Sequence, residues 1–213
     1  MPVRTVLCYG DSNTYGTPPM RAPYTLGRLR NDERWPGVIR ARLGADWSII
    51  EEALPGRTTV HDDPIEGAHK NGLTYLRPCL ESHRPIDLLI IMLGTNDLKP
   101  RFSVTPADTA WGVAALCEMA LSCAAGPNGG SPKLMVVAPV PIQETGFLGD
   151  IFVGGAAKSR RLAALYEQIA ARFGATFVDA GAVAQCSPID GVHFEADQHR
   201  RIGEAVAAAV LAL

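Results

Sequence analysis

Long hydrophobic runs are missing from this sequence. No stretch approaches the roughly 20 apolar residues that span a bilayer. The first residues carry only Arg4 before turning to strand-type residues, without an apolar segment closed by a small-residue cleavage site. A membrane span and an export signal are therefore not expected, and the cytoplasm is the default compartment. Paired cysteine motifs are lacking too: Cys8, Cys79, Cys117, Cys123 and Cys186 are odd in number and without CxxC spacing, and Cys8 and Cys117 sit inside apolar runs. They read as reduced, mostly buried thiols. Neither sign of charge is in excess, because the net charge is −2 with the signs interspersed. Nucleic acid and anionic membranes have no basis as partners. Repeats and low-complexity blocks are also absent.

What remains is a chain of 213 residues, 47% hydrophobic and 20% charged, which fits one domain over residues 1–213 with a substantial core. Val6 to Gly10 is an apolar run of strand character. Trp47 to Glu51, Asp87 to Leu93, Leu134 to Ala138 and Thr176 to Asp179 follow as further strand candidates. The Asp87 to Leu93 run is unbroken, as in a strand buried on both faces of a parallel sheet. Helical spacing appears in Glu33 to Leu43, with Pro36 in its first turn, and in Leu73, Leu76 and Leu80, where Pro78 weakens the pattern. It recurs after Thr105-Pro106-Ala107-Asp108, which reads as a capped start, in Leu162, Leu165 and Ile169, and from Glu195 to Leu211. Thr17 to Arg34 and Val140 to Gly155 are long connections of the kind that shape sites. Strands alternating with helices predict an α/β fold, a five-stranded parallel doubly wound sheet of flavodoxin-like order in three layers. Ligands then bind beyond the carboxyl ends of the strands.

Polar turns stand at those ends. Gly10-Asp11-Ser12 follows the first strand, Pro55-Gly56-Arg57 the second, Gly94-Thr95-Asn96-Asp97 the third, and Asp190-Gly191-Val192-His193 the fifth. Gly-Asp-Ser alone is also an ordinary turn. Joined with an Asp and a His three residues apart, it has the parts for acyl transfer: a serine hydroxyl, a base, and a carboxylate that holds the base's tautomer. At that spacing the Asp190 carboxylate folds back onto Nδ1 of His193 and leaves Nε2 for Ser12. The Ser12 N–H, the Gly56 N–H and the Asn96 amide are candidate oxyanion donors.

These four ordered blocks resemble those of the SGNH hydrolases, also called GDSL esterases, over the whole chain. Within that family, Val6-Leu7-Cys8-Tyr9-Gly10-Asp11-Ser12, Arg57-Thr58-Thr59, Asn71-Gly72 and Ile90-Ile91-Met92-Leu93-Gly94-Thr95-Asn96-Asp97 resemble bacterial arylesterases with acyltransferase and perhydrolase activity. The resemblance implies a serine esterase for small aryl or alkyl esters, with Ser12 as nucleophile, His193 as base and Asp190 as its orienting acid. It implies Ser12, Gly56 and Asn96 as oxyanion donors, no cofactor or metal, and a homo-oligomer whose loops narrow the site. Asn13, Tyr15, Thr17 and Pro55-Gly56 depart from the pattern. A carbohydrate O-deacetylase, or an idle binding protein that keeps the fold, is the alternative.

Other residues invite structural readings. Asp97 suits an Asx-turn and Asp11 a brace for its own turn. Arg57 reads as solvated, and Trp35, Trp47 and Trp111 as core. His61, His69, His83 and His199 have no partners at metal-ligand spacing, so packing or surface roles are expected.

Overall fold

A computed structural model describes residues 3–23 and 27–213. The very start of the chain, read above for an export signal, and the middle of the Thr17 to Arg34 connection lie outside the described residues.

Five strands form one sheet: β1 (Arg4–Gly10), β2 (Trp47–Ala53), β3 (Leu88–Met92), β4 (Lys133–Ala138) and β5 (Thr176–Asp179). Their order is β2-β1-β3-β4-β5, and every neighbouring pair is parallel. This is the flavodoxin-like arrangement expected from the alternation of elements. All five residues of β3 are buried, as its unbroken apolar run requires. Each buried Leu, Ile or Met there is worth about 1.5–3 kcal/mol of transfer free energy.

Among the described residues, seven α-helices accompany the sheet. A single turn, α1 (Ser12–Tyr15), follows β1, then α2 (Trp35–Leu43), α3 (Gly72–His83), α4 (Pro106–Ser122), the short α5 (Gly155–Ser159), α6 (Leu162–Phe173) and α7 (Ala196–Leu211). The helices α2 and α7 pack on one another, while α3, α4 and α6 pack in series, which gives the two outer layers. Local signals explain the boundaries. Thr105 Oγ1 accepts from Asp108 N at 3.2 Å, and Asp108 Oδ2 accepts from Thr105 N at 2.8 Å, a reciprocal cap at the start of α4. Asn71 Oδ1 accepts from Leu73 N at the start of α3. Pro78 lies within α3 without ending it. It sits on the exposed side, where the carbonyl it leaves unpaired can turn to solvent.

Two expectations need correcting. Trp111 is 56% exposed rather than core, lying beside the Arg172 guanidinium at the surface. Arg57 is 3% exposed rather than solvated, because the Gly10 and Glu52 carbonyls accept from its Nη1 and the Tyr9 ring lies against its guanidinium inside the protein. The long Val140 to Gly155 connection carries 3₁₀ turns at Gly146–Leu148 and Asp150–Phe152. Among the described residues, no helix is long and apolar enough to cross a membrane.

Candidate active site

Because the strands are parallel, their carboxyl ends form one rim. In the sheet register Gly10 stands beside both Ala53 and Met92, so the turns after β1, β2 and β3 emerge side by side. Ser12 opens α1, and the preceding Asp11 caps it by accepting from Asn13 N at 2.9 Å. Asp11 thus braces the turn, as its position suggested. Burial pushes its carboxyl up to about 6.

The loop before α7 supplies the partners. Gly191 takes φ +74, a conformation that side chains other than hydrogen rarely adopt, and a Cβ there would run into the Gln143 carbonyl. This turn folds Asp190 back under His193. Asp190 Oδ1 accepts from Val192 N and His193 N, at 3.0 and 2.9 Å. Its Oδ2 accepts from Met20 N at 2.8 Å and lies 2.7 Å from His193 Nδ1. Burial opposes the charge on Asp190, but the bond from His193, its charge and the backbone donors outweigh it, and the carboxyl lies below the ordinary carboxylate range. An ionised Asp190 fixes the proton on Nδ1. His193 Nε2 is then an acceptor, 3.1 Å from Ser12 Oγ. Ser12, His193 and Asp190 are all buried.

The turn after β2 is built by its own sequence. Arg57 N donates to Leu54 O at 3.0 Å, with Pro55 and Gly56 between them and Gly56 at φ +83. Proline first and a positive-φ glycine second is the preference of a type II turn. Arg57 Nη1 donates to Gly10 O at 3.1 Å and to Glu52 O at 2.6 Å, and the guanidinium lies over the Tyr9 ring. Lys70 Nζ donates to Pro55 O at 2.7 Å. Over Gly56 stands the Glu66 carboxylate, held by Lys99 Nζ at 2.7 Å and Arg101 Nη2 at 2.9 Å. Asn96 Nδ2 donates to Arg57 O at 3.1 Å and faces Asp11 Oδ2 at 3.4 Å.

Asp97 is structural, though not through an Asx-turn. Its carboxylate takes the N–H and hydroxyl of Thr59 and so fastens the loop after β2 to the loop after β3. His61 stacks on Phe102, His69 is exposed, His199 is buried against Phe194, and His83 pairs with Glu52. Cys8 is an inert core thiol whose pKa burial raises. Two cavities open among the loops beyond the strand ends. One, of about 470 Å³, is lined in part by Leu54, Arg57 and Tyr75, and the other, of about 410 Å³, by Arg21, Phe147 and Ile189 among others. The brackets around the site were less visible in sequence: Asn13 Nδ2 donates to Val192 O at 3.1 Å, Met20 N and the Glu66 cluster escaped notice, and Arg57 was read as solvated. Of these, only Arg57 carried a signal, its place directly after the Gly56 turn.

The model of the GDSL-like lipase/acylhydrolase family matches residues 8–201, from β1 into α7. The chain belongs to that family. No curated protein sequence matches this family member significantly. Among solved structures, the inhibitor-bound aryl esterase of M. smegmatis is 40% identical, covers 99% of each chain and superposes with a TM-score of 0.94. Est24, a carbohydrate acetylesterase from Sinorhizobium meliloti, is 43% identical over 98% of this chain and 99% of its own, with a TM-score of 0.93. A carbohydrate acetylesterase family member from the same organism is 36% identical over 97% of each chain, at 0.89. The protein is thus an esterase of the GDSL-like family, with aryl esterase and carbohydrate acetylesterase relatives.

Proposed function

We propose that this esterase cleaves small aryl and alkyl esters through an acyl-enzyme on Ser12. The observation that carries the reading is the continuous contact from Asp190 through His193 to Ser12, at 2.7 and 3.1 Å. His193 Nε2 takes the Ser12 proton as Oγ adds to the ester carbonyl. The Ser12 N–H, the Gly56 N–H and the Asn96 amide receive the charge that gathers on the carbonyl oxygen. Collapse expels the alcohol, which takes its proton back from His193. Water, activated in turn by His193, adds to the acyl-enzyme and releases the acid and a free Ser12. An alcohol or peroxide in place of water would carry the acyl group away instead.

The test is product partitioning. Aryl and alkyl acetates sharing one acyl-enzyme give the same ratio of hydrolysis to alcohol transfer at a fixed alcohol concentration. A ratio that follows the leaving group contradicts a common intermediate.

A second reading, carbohydrate O-deacetylation, is favoured by the 43% identity to Est24. Faster acetate release from acetylated xylose than from phenyl acetate would promote it. We further propose a homo-oligomer within a reducing compartment. Exposed Ile65, Trp111, Ile151 and Val153 support the first part, and five free cysteines the second. A monomer by light scattering at micromolar concentration would refute the oligomer.

A further inference from the structure

Away from the serine, three side chains combine the chemistry of a soft-metal site. Glu52 on β2 and Cys79 and His83 on α3 bring a carboxylate oxygen, a thiol sulfur and an imidazole nitrogen within 4.8 Å of one another. Cys79 and His83 are four residues apart, so a single helical face presents both. His83 Nε2 already lies 2.7 Å from Glu52 Oε1. Spacing in the sequence hides the set, because Glu52 comes from another element, 31 positions before His83. We propose that Glu52, Cys79 and His83 bind one divalent cation of the zinc class.

The ligand set decides the class. Thiolate with imidazole and one carboxylate suits zinc or cobalt and not magnesium or calcium, which take oxygen ligands. Tetrahedral bonds of about 2.0–2.3 Å hold ligand atoms about 3.3–3.6 Å apart. Glu52 and His83 must therefore open slightly around the ion and the sulfur must close. The side chains of His83 and Glu52 are 32% and 21% exposed, which leaves them free to move and gives the ion a way in. Cys79 is buried at the inner end.

The surroundings support the ligands. Tyr75 Oη donates to the second Glu52 oxygen at 3.3 Å, the kind of outer contact that orients a metal-binding carboxylate. Arg57 Nη1 holds the Glu52 carbonyl at 2.6 Å. Burial first, and then the Glu52 charge, push the Cys79 thiol up to about 12, while Arg57 draws it down. Glu52 and Tyr75 also line a groove open to solvent. Such an ion would tie α3 to the strand end that leads into Gly56.

Cobalt(II) titrated into the full chain tests the site. The expected result is one equivalent per chain, a thiolate-to-cobalt charge-transfer band, and displacement by zinc. Cys79→Ser removes the band. His83→Gln, a change at a partly exposed ring that spares the fold, weakens binding by more than the roughly tenfold lower bound for losing even an outer partner. Ser12→Ala binds like the wild type, so the result is independent of the esterase reading. Absence of stoichiometric uptake, a band that survives Cys79→Ser, or unchanged affinity in His83→Gln would each overturn the proposal and leave His83 and Glu52 as a plain ion pair.

Discussion

Asn96 Nδ2 donates to the carbonyl of Arg57 at 3.1 Å, which fastens the loop after β3 to the loop after β2 one residue beyond Gly56. The other amide hydrogen faces Asp11 Oδ2 at 3.4 Å, longer than an ordinary N–H···O bond. Only that stretched contact has to be given up for the amide to serve a developing oxyanion. Replacing Asn96 by Ala is expected to lower kcat on p-nitrophenyl acetate by about 10²–10³-fold with little change in KM. A kcat near that of the wild type would remove Asn96 from the oxyanion hole.

Gly56 is constrained twice. Its φ of +83 is strained for any side chain, and a Cβ would run into the Glu66 carboxylate that Lys99 and Arg101 hold in place. Gly56→Ala should destabilise the fold by about 1–3 kcal/mol and depress turnover. Removing Glu66 as well should restore part of the stability, read by urea denaturation of both single variants and the double. Strict additivity would contradict the clash.

Asn13 joins the nucleophile turn to the histidine loop through its bond to Val192 O. It acts on Ser12 and His193 by holding their backbones together, so Asn13→Ala should lower kcat by up to about 10²-fold, with KM nearly unchanged. An equal loss in KM alone would place Asn13 in substrate binding.

Acid should expose an opposition between two buried groups. Burial, followed by the charges of His193 and Arg34, lowers the His199 pKa to about 3. Below its unfolded pKa of about 6.5 the unfolded chain therefore binds a proton that the fold refuses, and stability falls as pH drops. Asp11 does the reverse: raised to about 6 from 3.8, it takes its proton in the fold first, and stability rises as pH falls through that window. Each contributes a slope of about 1.4 kcal/mol per pH unit, and the two oppose one another where they overlap. His199→Gln removes one of them, so its stability relative to the wild type should improve steadily as pH falls from about 6.5. A difference independent of pH would contradict the neutral, buried His199.

The sheet was legible because each strand announces itself over a few residues. The run through Ile90 and Ile91 can only be buried on both faces, and β5 keeps the limits read from Thr176 to Asp179. The four blocks were legible because each is a short polar turn at a strand end, where a parallel fold gathers ligands. What stayed hidden was long-range. Whether an arginine is solvated depends on which carbonyls come to meet it, and Arg57 meets those of Gly10 and Glu52. Trp111 occupies a helical position whose neighbours never cover it. The Glu52, Cys79 and His83 cluster joins a strand to a helix, a pairing that no local spacing encodes.

The central claim is that Ser12 attacks the ester. Hydrolysis of p-nitrophenyl acetate by the wild type and by Ser12→Ala, side by side at mildly alkaline pH, tests it most directly. Turnover in the variant should fall by at least about 10³-fold, toward the residue left by binding and the oxyanion donors alone. Equal rates in the two proteins would mean that another group carries the activity, and the reading of Ser12, His193 and Asp190 as a catalytic triad would fail.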